Sequence, residues 1–184
     1  MSDRHRWRYG DATPVMAAVD STTVIEIGDL LFQGPRLDWN MSGKSAWPAS
    51  ELAALYQTIN REVGMMQKEF ADNFLGVAIQ RSRSGETDPI RVTTMGVFEF
   101  DCPSGTFELG DLVGVRCITT LRRGDSERPA HAVETLANQE VASVQFCSIP
   151  GCAIARVAKR VVVPATSVLV DIRSTVMAGG IVGR

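Results

Sequence analysis

The sequence predicts a mainly β protein with one long α-helix, folded as a small β-barrel or β-sandwich with an extended N-terminal arm. Short runs rich in β-branched residues, separated by glycine- and proline-containing turns, recur along most of the chain. One segment, at about 48–70, instead has apolar residues at steps of three and four, the helical period. With 184 residues, 45% of them hydrophobic, the chain is long enough for one domain with its own core.

Residues 1–21 are predicted to form the arm, and 22–184 a single β-rich domain. Arginines alternate with aromatic residues in the arm, and Gly10 and Pro14 discourage regular structure there. Both side-chain types are favoured at protein interfaces, so we interpret the arm as a segment ordered on a partner. A frayed, solvated terminus is the alternative. The candidate partner-binding residues are Arg4, Arg6, Trp7, Arg8 and Tyr9.

The helix at about 48–70 is expected to lie across a sheet, because its apolar stripe is typical of core packing rather than of a cofactor site. Proline suits a first helical turn, and Pro48 stands at the predicted start. The stripe consists of Leu52, Leu55, Tyr56, Ile59, Val63, Met66 and Phe70.

Strands are expected on both sides of the helix. Before the helix they are predicted at 22–27 and 30–32. After it the apolar period changes to two, which is typical of half-buried strands. The later strands are predicted at 74–79, 90–95, 96–100, 112–118, 140–146, 153–159 and 168–173, with a polar loop at 122–138.

The net charge and the hydropathy of the chain argue against two classes of partner, nucleic acids and membranes. A formal net charge of -2 argues against nucleic-acid binding, which usually needs a strongly basic domain. No apolar run reaches the roughly 18 residues that cross a bilayer, and the basic start lacks the apolar segment of a secretory signal. We therefore expect a soluble, cytoplasmically made protein without nucleic-acid or membrane partners.

The residues that carry catalytic or metal chemistry are sparse. The histidines are His5 and His131, no G-x-S-x-G or phosphate-binding glycine pattern occurs, and no C-x-x-C pair is present. Glu99 and Asp101 share a face if their strand is regular, but any polar strand face gives that pairing. We expect no enzyme activity, no cofactor and no metal.

The cysteines are expected to be reduced core residues: Cys102, Cys117, Cys147 and Cys152. A disulfide between Cys147 and Cys152, across Pro150 and Gly151, stays open. A dyad of Cys147 with His131 is the one conceivable nucleophilic arrangement, without a supporting motif.

Short motifs in a fixed order carry a resemblance to a known family. They are Gly28-Asp29-Leu30-Leu31, Phe74-Leu75-Gly76-Val77-Ala78, Ile90-Arg91-Val92 leading into Gly96-Val97-Phe98-Glu99-Phe100, Gly110-Asp111-Leu112-Val113, Ile154-Ala155-Arg156-Val157-Ala158 and Val168-Leu169-Val170-Asp171-Ile172-Arg173. In this order, which covers most of the chain, the sequence resembles the capsid decoration (cement) proteins of tailed bacteriophages. The long helix and the polar loop near Arg122 depart from the family's minimal pattern.

The resemblance implies a structural virion protein. Such a protein binds the outer surface of a phage head and stabilises contacts between capsomers, and its partners are the major capsid protein and copies of itself, as a dimer or trimer. The alternatives are a small β-barrel enzyme, namely a cysteine-based hydrolase, and a ligand-binding barrel.

Overall fold

A computed structural model describes residues 7–9, 14–35, 43–52, 63–116, 118–120, 133–135 and 143–181. In chain order the strands are β1 (Trp7–Tyr9), β2 (Pro14–Ala17), β3 (Leu30–Pro35), β4 (Lys44–Pro48), β5 (Phe74–Ala78), β6 (Ile90–Thr93), β7 (Met95–Phe107), β8 (Leu112–Val115), β9 (Ile118–Thr120), β10 (Val133–Thr135), β11 (Val144–Phe146), β12 (Ala155–Val157) and β13 (Val161–Arg173). The helices are α1 (Val63–Asp72) and α2 (Thr175–Ala178).

The strands form two sheets and one separate pair. The six-stranded sheet has the order β1-β7-β13-β12-β8-β11, the five-stranded sheet has the order β2-β6-β5-β3-β4, and β9 pairs with β10. The neighbouring strands within both sheets are antiparallel. Both sheets are unclosed, so of the two predicted architectures the β-sandwich fits the structure.

The main core lies between the two sheets and includes α1. Phe70 of α1 packs its ring 5.8 Å from those of Phe32 and Phe74, measured between centroids. From the six-stranded sheet, inward residues such as Phe98 and Val170 join the same cluster. Burying side chains of this size contributes about 1.5–3 kcal/mol each. This shared cluster holds the two sheets together.

The five-stranded sheet is buried on both faces. Leu30 and Phe32 of β3 face the main core, whereas Leu31 between them belongs to a second cluster on the opposite face. Val19 and Ile25, from the connection between β2 and β3, cover that face. Segment 22–27 was predicted as a strand, but it forms turns with a single bridge from Ile25 to Ser82.

Position 76 requires a glycine, because the paired strands β5 and β6 approach closely here. Gly76 has φ 149°, and a Cβ at this position would lie 2.1 Å from the carbonyl oxygen of Thr93. Any side chain would push the two strands apart.

The predicted helix and the described helix overlap only in part. Helix α1 begins at Val63 and ends at Asp72, and residues 53–62 of the prediction lie outside the described residues. At the other end Pro48 closes β4 with ψ 151° and is followed by a short 3₁₀ turn, Ala49–Glu51, and by Leu52 in helical conformation, so α-helical conformation starts a few residues after the predicted start at about 48. Proline fits both contexts because its fixed φ suits a strand end as well as a helix start.

The described residues of the predicted arm pair with the protein's own sheets. β1 pairs with β7, β2 pairs with β6, and Val19 bridges to Ala46. An arm that projects from the domain is therefore not what the structure has in these residues. The extended conformation is present, but it is used for strand pairing within the domain.

Candidate interaction surface

The candidate partner-binding residues that the structure describes lie on an edge strand. β1 is the first strand of the six-stranded sheet, with Trp7 opposite Phe98 and Tyr9 opposite Val97, and the register shifts between these two pairs. Trp7 is described by its backbone alone, and Arg4 and Arg6 lie outside the described residues. Tyr9 is 50% exposed. Edge strands of this kind are natural sites for contact with another chain.

Arg8 is tied to the sheet by a polar cluster that crosses three strands. Its Nε lies 3.2 Å from Oε2 of Glu99, and its guanidinium forms an ion pair with the same carboxylate. The hydroxyl of Ser167 donates to the other oxygen of Glu99, at 2.9 Å. Phe98 and Phe100, which flank Glu99, point into the core, so this cluster lies on the outer face of the sheet.

The two longest strands extend beyond the rest of the sheet. We call residues 101–107 of β7 together with 161–167 of β13 the distal ribbon. Strand β12 pairs with β13 only from Val170 to Ile172, so within the described residues the distal part of β13 has β7 as its one strand partner. Two large apolar side chains of the ribbon are mostly exposed, Val162 by 64% and Val163 by 70%.

A groove of about 480 Å³ lies beside the ribbon. The register of β13 against β7 shifts on both sides of Ala165 in this region. The lining is mostly aliphatic and includes two cations and one carboxylate. Its residues are Glu99, Lys159, Arg160, Val161, Val162, Val163, Ser167, Val168 and Leu169.

The charged groups of the groove are of both signs. Arg160 forms an ion pair with Glu108, with 2.7 Å between Nε and Oε2. Glu99 is held by Arg8 and Ser167. Among the described residues, Lys159 has no ion pair with a carboxylate. We call the groove, Val162, Val163 and Glu108 the ribbon patch.

Sequence reasoning named candidate anchors in the predicted arm, of which Trp7, Arg8 and Tyr9 fall on β1, but it missed the ribbon patch. Residues 161–164 fall between the strands predicted at 153–159 and 168–173. Three consecutive valines were the available signal, since valine favours strands.

The cysteines within the described residues are free, buried thiols: Cys102, Cys147 and Cys152. The Sγ of Cys147 donates to the carbonyl of Ile149 at 3.1 Å, and that of Cys152 to the carbonyl of Gly64 at 3.4 Å. Burial raises the pKa of the Cys152 thiol, and the neighbouring Cys147 adds to the effect. Burial also raises the pKa of Cys102. Thiols with raised pKa are poor nucleophiles at neutral pH.

Other groups that could carry chemistry are scattered. Glu99 and Asp101 do share the outer face of β7, but Glu99 is engaged by the polar cluster. His131 of the conceivable dyad lies outside the described residues. Within the part of the chain that the structure describes, no three potential ligands come together as a metal site. Of the helices described, none has the length and apolarity to cross a membrane.

Comparison with known proteins gives no relative: no family model, no curated protein and no solved structure matches this chain.

Proposed function

We propose that the chain is a structural capsid decoration protein of a tailed bacteriophage, without enzymatic activity or a cofactor. It binds the outer surface of the head and stabilises contacts between capsomers. Its partners are the major capsid protein and copies of itself. The sequence resemblance is the source of this proposal, and the edge strand β1 is the structural feature that supports it.

Strand β1 offers what a shell-binding edge needs. It is short, it lies at the outside of the six-stranded sheet, and it presents an arginine and a half-exposed tyrosine. Aromatic and arginine side chains dominate the binding energy of most interfaces. A capsid segment can pair with such an edge through its main chain. Side-chain contacts with Tyr9 and Arg8 then determine which part of the capsid segment is paired.

The cysteine-hydrolase alternative would use Cys147 as its nucleophile. This thiol is 5% exposed and donates to the carbonyl of Ile149, which leaves a substrate carbonyl little access to it. A ligand-binding barrel would need an enclosed cavity, whereas the ribbon groove is open to solvent.

The proposal is tested by co-sedimentation of the purified protein with empty shells made from the major capsid protein of the phage that encodes it. Wild-type protein is expected to bind saturably. A double variant, Arg8→Ala with Tyr9→Ala, is expected to bind about tenfold more weakly or worse, because two anchors of roughly 1 kcal/mol or more are removed.

Met16→Ala is the matched control, since Met16 is 62% exposed on an edge strand of the other sheet. It should bind like wild type. Failure of wild-type protein to bind would contradict the proposed function. Equal binding by wild type and the double variant would contradict the role of β1 while leaving shell binding in place.

A further inference from the structure

The segment between β11 and β12 brings two cysteines together beside one strand. β11 and β12 pair with opposite edges of β8, so residues 147–154 cross over that strand. Main-chain hydrogen bonds to β8, donated by the N–H groups of Cys147 and Ile154, fix the crossing at both ends. Cys147 is the first residue of the crossing, and Cys152 ends its short 3₁₀ turn.

Gly114 of β8 leaves the space in which the two cysteines meet. A Cβ at this position would lie 2.8 Å from the carbonyl oxygen of Cys152 and 3.6 Å from the Cβ of Cys147. Both cysteines therefore pack against the same point of the strand. Their thiols are side-chain hydrogen-bonding neighbours, so the two sulfur atoms already lie close together. This proximity is the first requirement of a disulfide.

The pair is buried directly beneath an exposed turn. Cys147 is 5% exposed and Cys152 is 2% exposed, whereas all four residues between them are exposed. A small oxidant reaches the thiols when this turn opens locally. Burial, with the neighbouring Cys147, raises the pKa of Cys152 and keeps its reactive thiolate scarce. Oxidation is therefore expected to be slow.

We propose that Cys147 and Cys152 form a redox-sensitive pair, which hydrogen peroxide converts from two thiols into a disulfide that closes residues 147–152 into a ring. The inference goes beyond the proposed function and does not depend on it.

The reaction takes two steps and needs no further reactant. The more exposed Cys147 loses its proton and attacks one oxygen of the peroxide; the O–O bond breaks, and the hydroxide released takes up that proton and leaves as water. The product is a sulfenic acid. The sulfur of Cys152 then attacks that of Cys147, the S–O bond breaks, and a second water leaves with the proton of Cys152 as the S–S bond forms.

The disulfide changes how the crossing is held. Both S–H donors are lost, so the carbonyls of Ile149 and of Gly64 in α1 lose the hydrogen bonds that the thiols donate. In return the covalent ring restricts the unfolded chain. Thiols are weak donors, so the oxidised form is expected to be the more stable one.

Peptide mapping of the full-length protein tests the pairing, before and after incubation with hydrogen peroxide, with N-ethylmaleimide added on unfolding. Trypsin leaves both cysteines in one peptide, 124–156, because it does not cut between Arg128 and Pro129. We expect this peptide to become two hydrogens lighter and to take up no maleimide, and dithiothreitol to restore two adducts. Two maleimide adducts after peroxide, or oxygen added to both sulfurs, would overturn the inference.

Thermal unfolding of the oxidised and the reduced protein tests the consequence. Wild type is expected to gain about 5 °C in Tm on oxidation, from closure of a short loop. Cys152→Ala should show no gain. Cys102→Ala is the matched control, since Cys102 is also 5% exposed but donates to the carbonyl of Ala165, and it should keep the gain.

Each protein is compared with its own reduced form, so a loss of stability caused by the substitution itself does not affect the result. No gain in wild type, a gain that survives in Cys152→Ala, or a gain that is lost in Cys102→Ala would contradict the pairing of Cys147 with Cys152 as a stabilising bond.

Discussion

β7 and β13 pair along two stretches that have the same antiparallel geometry and different surroundings. In the proximal stretch, 96–100 with 168–172, alternate side chains enter the main core. In the distal ribbon, most side chains of β13 are exposed. The two stretches therefore do not differ in strand pairing. They differ in side-chain burial along β13: its proximal residues alternate into the main core, whereas 162–164 and 166 are exposed, although Cys102 and Phe107 of the distal β7 are buried in the same core.

Two valines of β13 give the largest expected difference between the stretches. Val170 is fully buried, whereas Val163 is 70% exposed. Val170→Ala is expected to lower the free energy of unfolding by about 2–3 kcal/mol, from lost burial and the cavity left behind. Val163→Ala is expected to change it by roughly 0.5 kcal/mol or less.

Urea denaturation of the two valine variants measures this difference, at protein concentrations low enough to keep the chain monomeric. Similar losses of unfolding free energy in the two variants would mean that Val163 contributes to the cooperative core as Val170 does. That result would contradict the difference drawn between the two stretches.

Two ion pairs, Arg8 with Glu99 and Arg160 with Glu108, allow a second comparison, with smaller expected effects on the free energy of unfolding. The side chain of Glu99 is 22% exposed and accepts from Arg8 and Ser167. Glu99→Gln is expected to cost about 1 kcal/mol or less in free energy of unfolding, as partly exposed pairs do. Glu108→Gln, which breaks the largely exposed pair with Arg160, is expected to have no measurable effect.

Thermal unfolding at low and at high salt checks the two glutamate variants. The loss in Glu99→Gln should shrink as salt is added. A larger loss in Glu108→Gln than in Glu99→Gln would show that the ribbon end contributes more to stability than the polar cluster.

The smallest expected effect concerns pH. Burial raises the pKa of Asp171 from its ordinary 3.8, and Arg173 opposes the shift. The folded state then binds this proton more tightly than the unfolded state, so the contribution to stability is full below the ordinary pKa and is lost as pH rises through the folded pKa.

Asp171→Asn removes this dependence. Relative to wild type, the variant is expected to gain slightly in free energy of unfolding between pH 3 and pH 7, as followed by urea denaturation at several pH values. A relative loss over that range would mean that Arg173 outweighs burial at this position.

Sequence patterns predicted the parts of the fold in which local and tertiary preferences agree. The alternation at 90–95 and at 168–173 corresponds to β6 and to the proximal part of β13, because one face of each is buried. No strand was predicted at 101–107 or 161–167, where Pro103, Gly105 and Pro164 interrupt the apolar pattern and where β7 and β13 continue as the distal ribbon. Proline is tolerated at 164 because, among the described residues, this part of β13 pairs with β7 alone and has an edge that needs no N–H donor.

For the candidate site, the sequence predicted Arg8 and Tyr9 as interface residues, and this stays a prediction. The structure shows both exposed on an edge strand. The ion pair of Arg8 with Glu99 joins residues 91 positions apart, and the groove brings Glu99 together with residues 159–163 and 167–169. Contacts of such long range follow from the topology and not from local pattern.

Hydrogen–deuterium exchange of the full-length protein tests the account most directly, measured first without shells and then with saturating shells. The account predicts slower exchange at 7–9 only when shells are added. Unchanged exchange at 7–9, or protection confined to the five-stranded sheet, would contradict it.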